Sequence, residues 1–119
     1  MIRVLVAAAA AALVLTALPA QGAGSKTVLR ISTASGAAMK YSTTSLKAKA
    51  GVVTIVMKNV SILPHDVAIK GHGVHAQGKV VPKGGTSTVS ATLKRGSYEF
   101  YCTVPGHEAA GMKGTLTVS

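Results

Sequence analysis

The stretch VVTIVMKN, residues 52 to 59, limits the fold more than any other part of the chain. Its first five residues, Val52 to Val56, are all β-branched, which restricts χ1, disfavours a helix and suits a pleated sheet. The chain around it is cut into similar short pieces. Thr27 to Thr33 alternates loosely and stops at Ser35-Gly36. Ala38 to Ser42 is a second run. SLKAKAG sets Leu46, Ala48 and Ala50 on one face and Lys47 and Lys49 on the other. HDVAIKG follows Pro64 and stops at Gly71. Thr86 to Leu93, SYEFYC and GTLTVS complete the set. KGHGVHAQGKVVPKGG reads as a long connection. About eight short strands separated by Gly and Pro turns, with almost no helical period, predict an all-β, Greek-key β-sandwich or barrel.

The first 23 residues differ from the rest. Arg3, an apolar run from Val4 to Leu18, then Pro19, Ala20, Gly22 and Ala23 have the layout of a signal helix that is removed on export. The expected division is therefore a signal peptide over 1–23 and one domain over 24–119, in the periplasm or outside the cell. If the segment is retained, it tethers the domain to a membrane, although the run is short against the roughly 20 residues a span needs. Without Arg3, 12 basic and three acidic side chains leave a net charge of +9. Export, dispersed lysines and only four aromatic residues argue against a nucleic-acid partner, and an acidic protein face or an anionic surface is expected instead.

Cys102 is the only cysteine, so an internal disulfide is impossible. Its thiol is buried and inert, paired between chains, or bound to something. The parity of SYEFYC puts Tyr98, Phe100 and Cys102 on the inward face, with Glu99 and Tyr101 outward. The loop that follows carries His107 and Met112, and His65 begins another strand. Two imidazoles, one thiolate and a weak axial thioether form the soft, near-trigonal ligand set of a blue-copper site. A nucleophilic Cys102 with His107 as base lacks an orienting group and an oxyanion site. Met39 and Met57 are assigned to packing or the surface. His72 and His75 are assigned to a solvated loop, with a stray metal pair as the alternative. Asn59 is assigned to shaping a turn.

YCTVPGHEAAGM, with LKAKAGVVTIVMKN and ILPHDVAIKG upstream, resembles the plastocyanin/azurin family, the cupredoxins, over most of residues 24–119. The resemblance implies a copper cofactor held by His65, Cys102, His107 and Met112. Plant plastocyanins have a shorter Cys-to-His gap and azurins a shorter His-to-Met gap. The loop here is similar to that of small bacterial plastocyanin-like and auracyanin-like members. Many relatives have Asn after the first histidine, where this chain has Asp66. Asp66 is expected to accept a hydrogen bond from Thr103 or its backbone and to lower the reduction potential.

The function implied is a type 1 (blue) copper carrier, not an enzyme, that passes single electrons between redox protein donors and acceptors. It is expected to be a monomer, with no small-molecule substrate and no nucleic acid. Small residues around His107 (Pro105, Gly106, Ala109, Ala110, Gly111) make a candidate docking rim, and Tyr101 a second exit beside Cys102. Copper storage or delivery at the same site is the alternative, although the chain has no Met- or His-rich tract beyond GHGVH. A fragment of a multicopper oxidase would need ligands that four histidines cannot supply, and a dinuclear copper centre needs a second cysteine.

Overall fold

The computed structural model describes residues 24–119; the signal helix expected over 1–23 lies outside the described residues. Eight strands follow one another: β1 (Lys26–Ser32), β2 (Ser45–Ala48), β3 (Gly51–Lys58), β4 (Ala68–Gly71), β5 (Val74–Gln77), β6 (Thr86–Leu93), β7 (Gly96–Tyr101) and β8 (Lys113–Val118). They form one sheet in the order β1-β3-β6 and a second in the order β2-β8-β7-β4-β5. β1 runs parallel to β3 and β2 parallel to β8; the other neighbours are antiparallel. This is the all-β sandwich the sequence predicts, with no helix among the described residues.

Alternation builds the core. Val53, Ile55 and Met57 of β3 have no exposure, while the residues between them are half-buried. Val89 and Leu93 of β6 meet them from the same sheet. Ile69, Tyr98, Phe100, Leu116 and Val118 close the core from the other sheet. Phe100 stacks at a tilt on Tyr41, with ring centroids 5.5 Å apart. Gly114 lies opposite Phe100 in the β7–β8 ladder, and a Cβ there would run into the ring. The strand therefore needs glycine at that point.

Two segments depart from the sequence reading. Ala38 to Ser42 makes no strand; only the bridge between Thr33 and Tyr41 forms, and Tyr41 turns into the core. β5 instead arises inside the stretch read as a connection, where Val74 to Gln77 pairs antiparallel with β4. Eight strands result in both cases, but not the same eight.

Candidate metal centre

One end of the sandwich is built from the β3–β4, β5–β6 and β7–β8 connections. Asn59, fully buried, organises the first of them. Its side-chain oxygen accepts from the Ser61 amide (2.9 Å), and its nitrogen donates to the carbonyls of Leu63 (2.8 Å) and Val81 (2.9 Å). His65 and Val81 then exchange backbone hydrogen bonds of 3.2 and 2.9 Å. His65 is thus pinned by main chain just before β4. Its Nε2 is buried without a hydrogen-bond partner, unlike most metal-binding histidines, which donate that N–H.

The β7–β8 connection is a series of turns, with His107 N donating to Val104 O (3.0 Å) and Ala110 N to Gly106 O (3.1 Å). Gly106 has φ +83° and Gly111 +107°, conformations that favour glycine. Cys102 N donates to Met112 O (3.1 Å) and Met112 N to His107 O (3.0 Å), so the loop closes on itself.

The structure brings His65, Cys102 and His107 together. Their candidate ligand atoms lie within 4.8 Å of one another. The two Nδ1 atoms are 3.1 Å apart, and Cys102 Sγ lies 3.8 Å from His65 Nδ1 and 3.6 Å from His107 Nδ1. Bonds of about 2.0–2.1 Å to nitrogen and about 2.3 Å to sulfur, as zinc makes, would need a triangle with edges of about 3.5 and 3.8 Å. The observed edges of 3.1, 3.6 and 3.8 Å are close to these, so the three donors would hold one first-row ion between them. His65 has no exposure, Cys102 1% and His107 7%, so His107 is the most exposed of the three. Met112 is fully buried in the same core cluster as Cys102.

Burial pushes the Cys102 thiol above its ordinary value, with backbone hydrogen bonds at Asp66 and Val104 opposing it and the Asp66 carboxylate adding to it. Burial also lowers His65, helped by the neighbouring His107. Without metal, both groups are therefore held neutral, and an incoming ion must displace the thiol proton.

Asp66 stands behind the centre with no exposure. One oxygen accepts from the Thr103 amide (2.7 Å); the other accepts from the Thr103 hydroxyl and from Gln77 Nε2 (3.3 Å). It thereby joins the segment carrying His65 to the residue after Cys102, as the sequence suggested. Sequence reasoning missed three supports. Gln77 also donates to Thr103 Oγ1 (3.1 Å), and Tyr41 donates to the Asp66 carbonyl (2.6 Å). Lys70 on β4 binds Glu108 in the metal loop (2.6 Å) and Glu99 on β7 (3.6 Å). Only the alternation inside VHAQ could have signalled Gln77. Tyr101 points away from the core, as expected, yet is only 7% exposed. Lys70 covers its ring at 4.3 Å, and its hydroxyl meets His75 Nε2 at 3.0 Å. His72 stacks on Tyr98 instead, with centroids 5.0 Å apart. The two histidines thus serve different tyrosines and do not form a metal pair.

The sequence model of the copper binding proteins of the plastocyanin/azurin family matches residues 27–119. No curated protein sequence matches the chain. Among solved structures, dithionite-reduced auracyanin from Roseiflexus castenholzii is similar at 27% identity and TM-score 0.69, over 82% of this chain and 99% of that one. Auracyanin A, a "blue" copper protein from Chloroflexus aurantiacus, aligns at 23% identity and TM-score 0.67, over 80% of this chain and 100% of the other. An azurin from Methylomonas sp. strain J aligns at 20% identity and TM-score 0.63, over 77% and 97%. The last two show a shared fold.

Proposed function

The chain belongs to the plastocyanin/azurin family of copper-binding proteins, and on that premise we propose that it is a type 1 copper electron carrier. The observation that carries this reading is the buried triangle of His65 Nδ1, His107 Nδ1 and Cys102 Sγ. Copper held there supplies a one-electron Cu(I)/Cu(II) couple. Met112 would supply a thioether as the fourth ligand, from its burial and its place at the loop closure.

The protein's part is to hold the ligands still. His65 is fixed by Asn59 and the Val81 bridge, and Cys102 and His107 by the turns of their loop. Asp66 ties the two segments together through Thr103. Donors already in place need little rearrangement when the charge at the centre changes. His107 is the proposed electron port. Pro105, Gly106, Ala109, Ala110 and Gly111 around it are exposed and uncharged, and Ile62 (63% exposed) and Val80 (48%) lie on the two connections beside His65. Lys40, Lys58, Lys79, Lys83 and Lys113 are exposed at the same end, which suits redox partners with an acidic face. The proposed form is a monomer exported to the periplasm or beyond, on the layout of residues 1–23.

Adding Cu(II) to the purified protein is expected to give an intense blue colour from thiolate-to-copper charge transfer, absent in Cys102→Ser. A pale complex, or one unchanged by that substitution, overturns the reading. Fast, reversible voltammetry is expected of a carrier; a site that releases its ion on reduction would instead mark a storage or delivery protein.

A further inference from the structure

The opposite end of the sandwich has its own chemistry. There β1 begins, β8 ends, and the β2–β3, β4–β5 and β6–β7 turns project together. Hydrogen bonds from Val52 N to Ser25 O, Ala50 N to Ser119 O and Ser119 N to Ala48 O, at 2.9 to 3.0 Å, hold these ends in one layer. Lys26, Lys47, Lys49, Lys94 and Arg95 are all exposed in this layer.

None of the five has an acidic side chain to pair with. The chain has only Asp66, Glu99 and Glu108. Asp66 is buried behind Cys102, and both glutamates are engaged by Lys70. Among the described residues, the only ion pairs are those of Lys70. Between the turns lies an open cleft of about 880 Å³. Lys49, Lys94 and Arg95 stand on its rim, Tyr98 and Leu93 on its floor. The cleft is shaped, not slack. Tyr98 donates to the Lys94 carbonyl (2.8 Å), and His72, held at φ +49°, lies over Tyr98 and closes on Gly96.

Ser25 also lines the cleft. The chain therefore leaves the domain at this end, toward the 23 residues that hold the apolar run Val4 to Leu18.

We propose that this basic end rests on an anionic lipid surface, with Lys49, Lys94 and Arg95 against headgroup phosphates. Two observations choose lipid over an acidic protein. The segment with the apolar run Val4 to Leu18 joins the domain here, so it brings this end to the membrane until it is removed on export, and holds it there if it is retained. Among the described residues this end also exposes no Phe, Tyr or Trp side chain, and Tyr98 is 3% exposed; protein interfaces usually concentrate their affinity in large aromatic anchors, whereas lipid headgroups require only charge. The consequence is an orientation. β3 runs from this layer to the metal end over eight residues, about 26 Å at 3.3 Å per residue. His107 would then face away from the bilayer, open to partners.

The test uses copper-loaded protein and two sets of vesicles: phosphatidylcholine with 30 mol% phosphatidylglycerol, and phosphatidylcholine alone. Binding to the neutral vesicles reports any retained N-terminal segment, so the difference between the sets is the readout. It is expected to be positive and to vanish in high salt. The triple variant Lys49→Glu, Lys94→Glu, Arg95→Glu should weaken it at least about 100-fold, at about fivefold per cation. The matched triple Lys58→Glu, Lys79→Glu, Lys83→Glu carries the same net charge and should stay within threefold. An unchanged blue colour verifies that each variant folds. Equal weakening by both triples would reduce the effect to overall charge and overturn the proposal. No loss from the first triple overturns it as well. So does a first triple that keeps vesicle binding but slows exchange with an acidic redox protein, which would assign this end to that partner.

Discussion

Asp66 carries the chain's most local question, because a charge-bearing side chain stands where many relatives have an amide. Asp66→Asn keeps an acceptor for the Thr103 amide but removes the charge behind Cys102. The expected result is a rise in reduction potential on the order of 100 mV, measured by voltammetry; an unchanged potential would mean that the carboxylate has no electrostatic role. Tyr41 acts on the same residue from the other side. Burial raises its hydroxyl pKa far above the ordinary value, so it serves as a donor to the Asp66 carbonyl. Tyr41→Phe leaves that buried carbonyl short of a partner, and chemical denaturation should show a loss of about 1–3 kcal/mol. Neither link was legible in the sequence beyond Asp66 and Thr103 themselves. Tyr41 sits 25 residues away, in a run that looked like a strand.

At the level of elements, strands were legible where alternation coincided with a buried face. β3, β6 and β7 keep their parity, and β7 delivers Cys102 inward as SYEFYC implied. β5 was missed because its inward residues, Val74 and Ala76, are small and only half-buried. Its order comes from pairing with β4, which no local pattern records. The run around Tyr41 failed in the opposite sense: its alternation serves one aromatic anchor and a single bridge. The β7–β8 pair gives a direct test of packing. Gly114→Ala puts a methyl group into the Phe100 ring, and overpacking of this kind costs about 1–3 kcal/mol. Thermal unfolding should fall by roughly 4–8 °C for each kcal/mol lost, with the blue colour retained if the metal loop is undisturbed.

The whole molecule should show a pH dome when copper is removed. His65 is held below its ordinary 6.5, so the unfolded chain takes up the proton first and stability falls as the pH drops through that value. Cys102 is held above 9.0, so the unfolded chain loses its proton first and stability falls again as the pH rises past that value. Unfolding of the copper-free protein at a series of pH values should peak between the two, and a flat profile would contradict the burial of both groups. Copper should raise the unfolding temperature, since it binds the folded triangle and the unfolded chain has none. If its redox partners present the proposed acidic face, electron exchange with them should slow as salt rises. The sequence by itself determined the class of fold, the four candidate ligands and the absence of a disulfide, because side-chain period, cysteine count and donor chemistry are local properties. Only the tertiary structure decided how those donors are held. Tyr41, Gln77 and Lys70 reach the centre across sheets and loops, His72 and His75 part company on two faces, and the unpaired cations gather at the far end. These are contacts between distant residues, set by strand order and register rather than by any neighbour in the chain.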